Sequence, residues 1–143
     1  MPIPFSTTLH VRDNCLCLHT QRAARALARR FDHALKPLGL TNGQFSLMMA
    51  LNRPQPVPMG PVAELLAMDR TTLTAAVKVL ERRGLVETIL HPEDRRSRLM
   101  RLTEEGTAVL SQAVPVWQRV HGELDEELGD AIAPLRETLA SIR

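Results

Sequence analysis

The sequence predicts a mostly α-helical fold with one small β-hairpin, and three observations predict it. A short amphipathic segment over 61–67 breaks at Met68 and Asp69 and gives way to a longer helical run over 70–83. Two short β-like runs, 85–90 and 99–102, flank a charged tip at 91–98. Beyond this stretch, apolar residues recur at helical spacing almost to both ends of the chain. Helix, turn, helix, hairpin is the order of a winged helix-turn-helix, here flanked by N- and C-terminal helices.

The elements follow in order. A long first helix is expected from near Asp13 to Leu38, with Leu27, Phe31, Leu35 and Leu38 as its apolar face and Gly39 ending it. Thr41 and Gln44 have the spacing of a capping box, opening a helix that carries Phe45, Leu47, Met48 and Leu51. The Pro-rich stretch 53–58 reads as a short connector. Pro61 suits the first position of the next helix, where a missing N–H costs nothing. Asp69 is a good N-cap for the run from Arg70, in which Leu73, Val77 and Leu80 mark a buried stripe. Gly84 can take the left-handed conformation past the helix end. After the hairpin, Thr103 starts a helix through about Leu128, with a kink expected at Pro115. Asp130 is expected to cap a last helix holding Ile132, Leu135, Leu139 and Ile142. The terminal helices carry more apolar positions than a lone lobe needs to cover, which suits burial against a second subunit.

The outward face of the run from Arg70 shows Thr71, Thr72, Thr74, Ala75 and Lys78. Short polar side chains at a helix start let a nucleic-acid backbone approach closely and still offer hydrogen bonds. A solvated amphipathic face would look the same, so the hairpin tip decides. Asp94, Arg95, Arg96 and Arg98 place three guanidiniums within four residues. Like charges so crowded repel unless something neutralises them, and the negative potential of a duplex minor groove does so. Asp94 is expected to hold the Arg96 side chain outstretched through a charge-assisted hydrogen bond.

At 143 residues the chain is one domain's length and can bury a respectable core. Three Phe, one Trp and no Tyr mean that core is built mostly from aliphatic side chains and Met. The net charge of +2 implies nothing by itself, but its distribution does. Residues 70–101 hold eight Lys/Arg against four Asp/Glu, and residues 103–143 hold three against eight. A basic centre meets phosphate while the acidic tail does something else. No run of eighteen apolar residues exists to span a membrane, and the start of the chain lacks the pattern of a signal peptide. A cytoplasmic protein is expected. No Gly-rich phosphate loop, nucleophile beside a base or pair of acids on one face points to an enzyme, and no cofactor is expected. A winged helix that binds protein instead of DNA would show apolar anchors where this one shows Thr and Arg.

From about Asp13 onward the sequence resembles the MarR family of bacterial transcription regulators. The resemblance is carried by Leu85 and Val86, by Asp94, Arg95 and Arg96, and by residues 99–106, Leu-Met-Arg-Leu-Thr-Glu-Glu-Gly. It implies one MarR-type domain over 1–143. Dimerisation helices would occupy about 13–38 and 103–143, and a winged helix-turn-helix lobe about 41–102. It implies a homodimer on a pseudo-palindromic double-stranded operator, usually a repressor released by a small molecule or an oxidant. Position by position, Arg96 matches the wing-tip arginine that enters the minor groove and Asp94 the acid that orients it. Residues 70–78 match the start of the recognition helix. Ala75 and Ala76 stand where relatives often carry polar or basic residues, which leaves base specificity to few contacts.

Cys15 and Cys17 are candidate redox sensors. Two apart on one helix, they would point about 200° from each other and could not readily pair in a disulfide. Cys17 shares a phase with Ala24, Phe31 and Leu38 and is expected buried; Cys15 shares a face with Arg12, His19 and Arg22. An electropositive helix start would lower the Cys15 thiol pKa. Hydroperoxide-sensing members of the family carry a reactive cysteine near the start of their first helix, and by register from Thr41 the match is Cys17. Their thiolate-pinning tyrosines have no counterpart here, since the chain has no Tyr. The plainer reading makes both cysteines small hydrophobes in a reducing compartment. Cys15 and His19 lie one turn apart, yet no second such pair exists to complete a metal site, and none is expected. The family places its effector pocket between dimer helices and DNA-binding lobe, where Phe31, Phe45, Met48, Met49 and Trp117 are candidate lining residues and equally ordinary core.

Overall fold

A computed structural model describes residues 2–143. Its helices are α1 (Phe5–Asn14), α2 (Leu16–Leu35), α3 (Asn42–Leu51), α4 (Met59–Leu66), α5 (Arg70–Arg82), α6 (Glu104–Leu128) and α7 (Ile132–Ala140). The strands are β1 (Val57–Pro58), β2 (Val86–Leu90) and β3 (Arg98–Leu102). The fold class expected from the sequence, mostly helical with a small hairpin wing, is the one found.

One apolar core joins these elements. Leu35 of α2, Leu47, Met48 and Leu51 of α3, Leu73 and Leu80 of α5 and Met100 of β3 are among its least exposed side chains. No polar or charged residue among those described is buried with them. The expected stripe on α5 is confirmed, with Leu73, Val77 and Leu80 all buried. So is the capping box of α3: Gln44 N donates to Thr41 Oγ1 at 3.2 Å, and Thr41 N donates to Gln44 Oε1 at 3.1 Å. Gly84 has φ +74°, as its place past α5 requires.

Several expectations need correcting. The helix expected from near Asp13 begins at Leu16, and a separate helix that the sequence did not suggest, α1, precedes it, the two divided at Cys15. The Asn14 amide donates to the His10 carbonyl at 2.8 Å, competing with the backbone for that acceptor. Cys15 takes extended backbone angles and becomes the N-cap of α2, its Sγ accepting from Leu18 N. At the other end α2 stops at Leu35, and a 3-10 turn over Lys36–Leu38 replaces the last expected turn. Pro37 has no N–H to continue the ladder, although Lys36 itself keeps α-helical backbone angles. The Pro-rich connector is partly strand: Val57 and Pro58 pair antiparallel with Met100 and Leu99, so the sheet order is β1-β3-β2. Pro58 is tolerated because β1 is an edge.

Helix α4 begins at Met59, two residues before the sequence suggests. Pro61 therefore sits at its third position, where the N–H would still lack a partner in the helix. Helix α6 runs from Glu104 to Leu128 with Pro115 inside it, the extent the sequence suggests. Asp130 does not cap α7. It lies inside a 3-10 turn, Gly129–Ala131, which leads directly into α7 with no side-chain cap. Gly129, with φ +55°, turns the chain there and leaves no extended N-cap residue for Asp130 to be.

The start of α6 is seated on the base of the hairpin. Thr103 N donates to the Leu85 carbonyl at 3.1 Å, and Thr103 Oγ1 donates to the Gly84 carbonyl at 2.6 Å while accepting from Gly106 N. Gly106 is buried against this junction: a Cβ there would lie 1.9 Å from the Leu85 carbonyl oxygen. Gly106→Ala must push α6 off the hairpin and should lower unfolding free energy by about 1–3 kcal/mol in urea titrations. Gly122→Ala, where a Cβ meets nothing within 4 Å, should leave it unchanged or higher.

Candidate nucleic-acid interface

The inner face of α5 is fixed by burial, so its outer face is fixed too. Arg70, Thr71, Thr72, Ala75 and Lys78 are exposed along it and Thr74 is half-buried. Asp69 caps the helix with both oxygens, accepting from Thr72 N at 2.7 Å and from Thr72 Oγ1 at 2.9 Å. These two hydrogen bonds, backbone first, hold the Asp69 carboxyl below its ordinary pKa. Thr74 Oγ1 donates to the Arg70 carbonyl at 2.7 Å. Two of the three threonine hydroxyl protons are thus spent inside the helix, and only Thr71 has a hydroxyl with no protein partner among the described residues. The Arg70 guanidinium leans back over Gly60 at the start of α4. Lys78 has no ion-pair partner among the described residues.

Strands β2 and β3 carry the tip, with Glu87 opposite Arg101 and Leu90 opposite Arg98. Arg101 is paired with Glu87 and withdrawn from outside partners. Asp94 acts differently from expectation. Its Oδ1 accepts from the Arg96 backbone N at 3.0 Å and its Oδ2 from Ser97 Oγ at 3.1 Å. It grips the turn and not the Arg96 guanidinium, because an aspartate two residues upstream reaches the backbone N–H more easily than a long side chain's end. Those hydrogen bonds, the Arg96 N–H first, lower the Asp94 pKa. Ser97 N donates to the Asp94 carbonyl and His91 N to the Ser97 carbonyl, so the tip is knit on both sides. Arg98 donates one nitrogen to the Arg95 carbonyl at 3.2 Å. Arg95 and Arg96 extend from this turn exposed, with no acidic partner among the described residues.

The two cysteines lie at the α1–α2 break. The helical-wheel argument against their pairing does not apply, because Cys15 is outside both helices. Cys17, expected buried, is exposed in the protomer, and the Gln21 amide donates to its Sγ at 3.2 Å. Arg12, expected beside Cys15, belongs to α1 and pairs with Asp13 at 2.8 Å. The His19 ring bonds the Cys15 carbonyl, not its thiol.

Between α2, α3 and α6 is a cleft of about 300 Å3 walled by Phe31, Phe45, Trp117 and His121. The Trp117 and His121 rings stack with centroids 4.7 Å apart. Phe45 and Trp117 also divide this cleft from a second one that includes Met49 and Arg53. Met48, a candidate lining residue, is fully buried and faces neither. Sequence reasoning missed His121 and Asn42 in the first cleft. Their places depend on how α6 and α3 cross α2, and neither has a local signal.

Comparison with known proteins agrees with this geometry. A MarR family model matches residues 38–97, the turn before α3 through the hairpin tip. The M. tuberculosis transcriptional regulator MosR, solved in complex with DNA, is 37% identical over 89% of this chain and 92% of its own, with a TM-score of 0.81. The repressor CouR bound to a 23-mer DNA duplex is 31% identical over 92% and 94%, TM-score 0.82; the Rhodococcus jostii protein has also been solved with p-coumaroyl-CoA. The organic hydroperoxide resistance transcriptional regulator of Bacillus subtilis is 27% identical across 91% of this chain and 88% of its own. No described helix is long and apolar enough to cross a membrane. The chain belongs to the MarR family of transcription regulators.

Proposed function

We propose that the protein is a dimeric, cytoplasmic, non-enzymatic repressor that binds a pseudo-palindromic operator and is released by a small molecule or an oxidant. Each protomer lays α5 into a major groove and reaches the adjacent minor groove with the hairpin tip. Arg70, Thr71, Thr72, Thr74, Ala75 and Lys78 line the helix contact, with Thr71 and Lys78 the freest to bond. Arg95, Arg96 and Arg98 meet backbone and minor groove, and Asp94 sets the shape of the turn that presents them. The observation that carries this reading is the pair Arg95 and Arg96, uncompensated and exposed on a turn knit by Asp94. Guanidiniums with no acidic partner among the described residues, on a hydrogen-bonded tip, suit phosphate and a narrow groove.

Dimerisation is supported by apolar side chains left exposed on the terminal helices and, at Ile142, just past the end of α7. Phe5, Val11 and Leu16 at one end and Leu135, Leu139 and Ile142 at the other are 45–72% exposed in the protomer. Leaving them in water is costly, and a second subunit can cover them. Release follows by population shift: an effector that favours wider spacing of the two lobes takes the α5 helices out of register with successive grooves.

Fluorescence anisotropy with a labelled duplex from upstream of the protein's own gene tests the DNA reading. Arg96→Ala should weaken binding by about 1–3 kcal/mol and reduce the salt slope by about one, with an unchanged melting temperature. Equal affinity of variant and parent would remove the tip from the interface. A thiol reading is supported by the exposure of Cys17 and by the hydroperoxide-resistance relative. Treatment with an organic hydroperoxide should then release the parent from DNA, and Cys15→Ser or Cys17→Ser should abolish that response. Release that persists in both variants assigns sensing elsewhere.

A further inference from the structure

A half-buried acid on α2 ties that helix to the start of α3. Asp32 Oδ1 accepts two hydrogen bonds from the first residue of α3: the Asn42 backbone N at 2.6 Å and the Asn42 side-chain Nδ2 at 2.9 Å. The acceptor is a carboxylate and the donors lie at the positive end of a helix, which strengthens both bonds. The tie continues beyond Asn42. The Thr41–Gln44 capping box holds the same helix start, and Gln44 Oε1 also accepts from Arg83 Nη1 at 3.4 Å. Arg83 is the C-cap of α5. Its guanidinium lies over the Gly39 turn, where a Cβ would come within 3.0 Å of Nη2. The chain of contacts therefore runs from α2, through the start of α3, to the end of α5. Asn42 is also in the wall of the aromatic cleft between α2, α3 and α6, so anything filling that cleft meets the tie directly.

We propose that Asp32 is a positioning residue for DNA binding, which holds the start of α3, and through Gln44 and Arg83 the end of α5, in the placement that fits DNA. It touches no DNA itself; it acts on the fraction of molecules whose lobe is competent to bind. Affinity scales with that fraction, whereas the number of phosphates contacted does not change. This separates it from the tip arginines, whose loss removes a contact. The inference rests on the DNA-binding reading given above.

The test is a salt series of anisotropy titrations at 25 °C with the upstream duplex, using the full chain and three variants. Asp32→Ala is expected to weaken binding about tenfold at every salt concentration, with the slope of log affinity against log salt unchanged. Asp32→Asn keeps an oxygen acceptor and is expected to return affinity to within about threefold of the parent. Val120→Ala opens a cavity under α6, away from the tie. It should lower the melting temperature while leaving affinity within about twofold of the parent. Asp32→Ala with parental affinity overturns the proposal, and so does an altered slope, which would make Asp32 a contact. Val120→Ala matching Asp32→Ala in affinity also overturns it, because general loosening would then explain the loss. Should the parent itself bind neither this duplex nor random duplex at low salt, the DNA-binding reading fails, and this one with it.

Discussion

The burial of one face of α5 is the constraint on which the rest depends. Leu73, Val77 and Leu80 enter a core shared with α2, α3, α4, the hairpin and α6. At roughly 1.5–3 kcal/mol for each large apolar side chain removed from water, this stripe decides which way the helix faces. With those three inside, Thr71, Ala75 and Lys78 can only point out. The same core takes Met100 of β3, so helix and hairpin are oriented by one set of contacts and present their outer surfaces together. A recognition surface made of two elements works only if their relative placement is fixed, and apolar packing fixes it more firmly than surface ion pairs do.

Charge then divides the labour. Pairing withdraws some cations from outside partners: Arg101 to Glu87 in the hairpin, and Arg30 to Glu127 at 2.8 Å between α2 and α6. Arg95, Arg96 and Lys78, on α5 and the tip, are left without ion-pair partners among the described residues. The acidic excess lies in the C-terminal region and not in the basic stretch 70–101, where a surplus of carboxylates would repel phosphate. The terminal helices carry instead the exposed apolar positions that suit a protein partner.

What was legible in the sequence was what is decided locally. The Thr41–Gln44 box, the Asp69 cap, the left-handed Gly84 and the apolar stripe of α5 each depend on residues within one or two helical turns. The misreadings come from competition or distance. Asn14 takes a backbone acceptor with its side chain, ends α1 and turns Cys15 into a cap, which a smooth apolar periodicity hides. Strand β1 is two residues long and forms only because β3 is there to pair with it. In the candidate interface, the residue types were legible but not their commitments. Thr72 and Thr74 commit their hydroxyl protons at the helix start, and Asp94 holds the Arg96 backbone and the Ser97 hydroxyl where the Arg96 guanidinium was expected. The Asp32–Asn42 tie left no trace at all, since it spans a turn and joins two ordinary polar residues.

The central claim is that α5 and the hairpin tip engage one duplex together, in adjacent grooves and twice per dimer. Hydroxyl-radical footprinting of the upstream duplex tests it most directly, because the radicals report minor-groove access at each nucleotide. The account predicts two protected minor-groove patches symmetric about the operator centre, flanking major-groove half-sites about one helical turn apart, with both patches lost for Arg96→Ala. Protection confined to a single patch, or patches that survive that substitution, would contradict it.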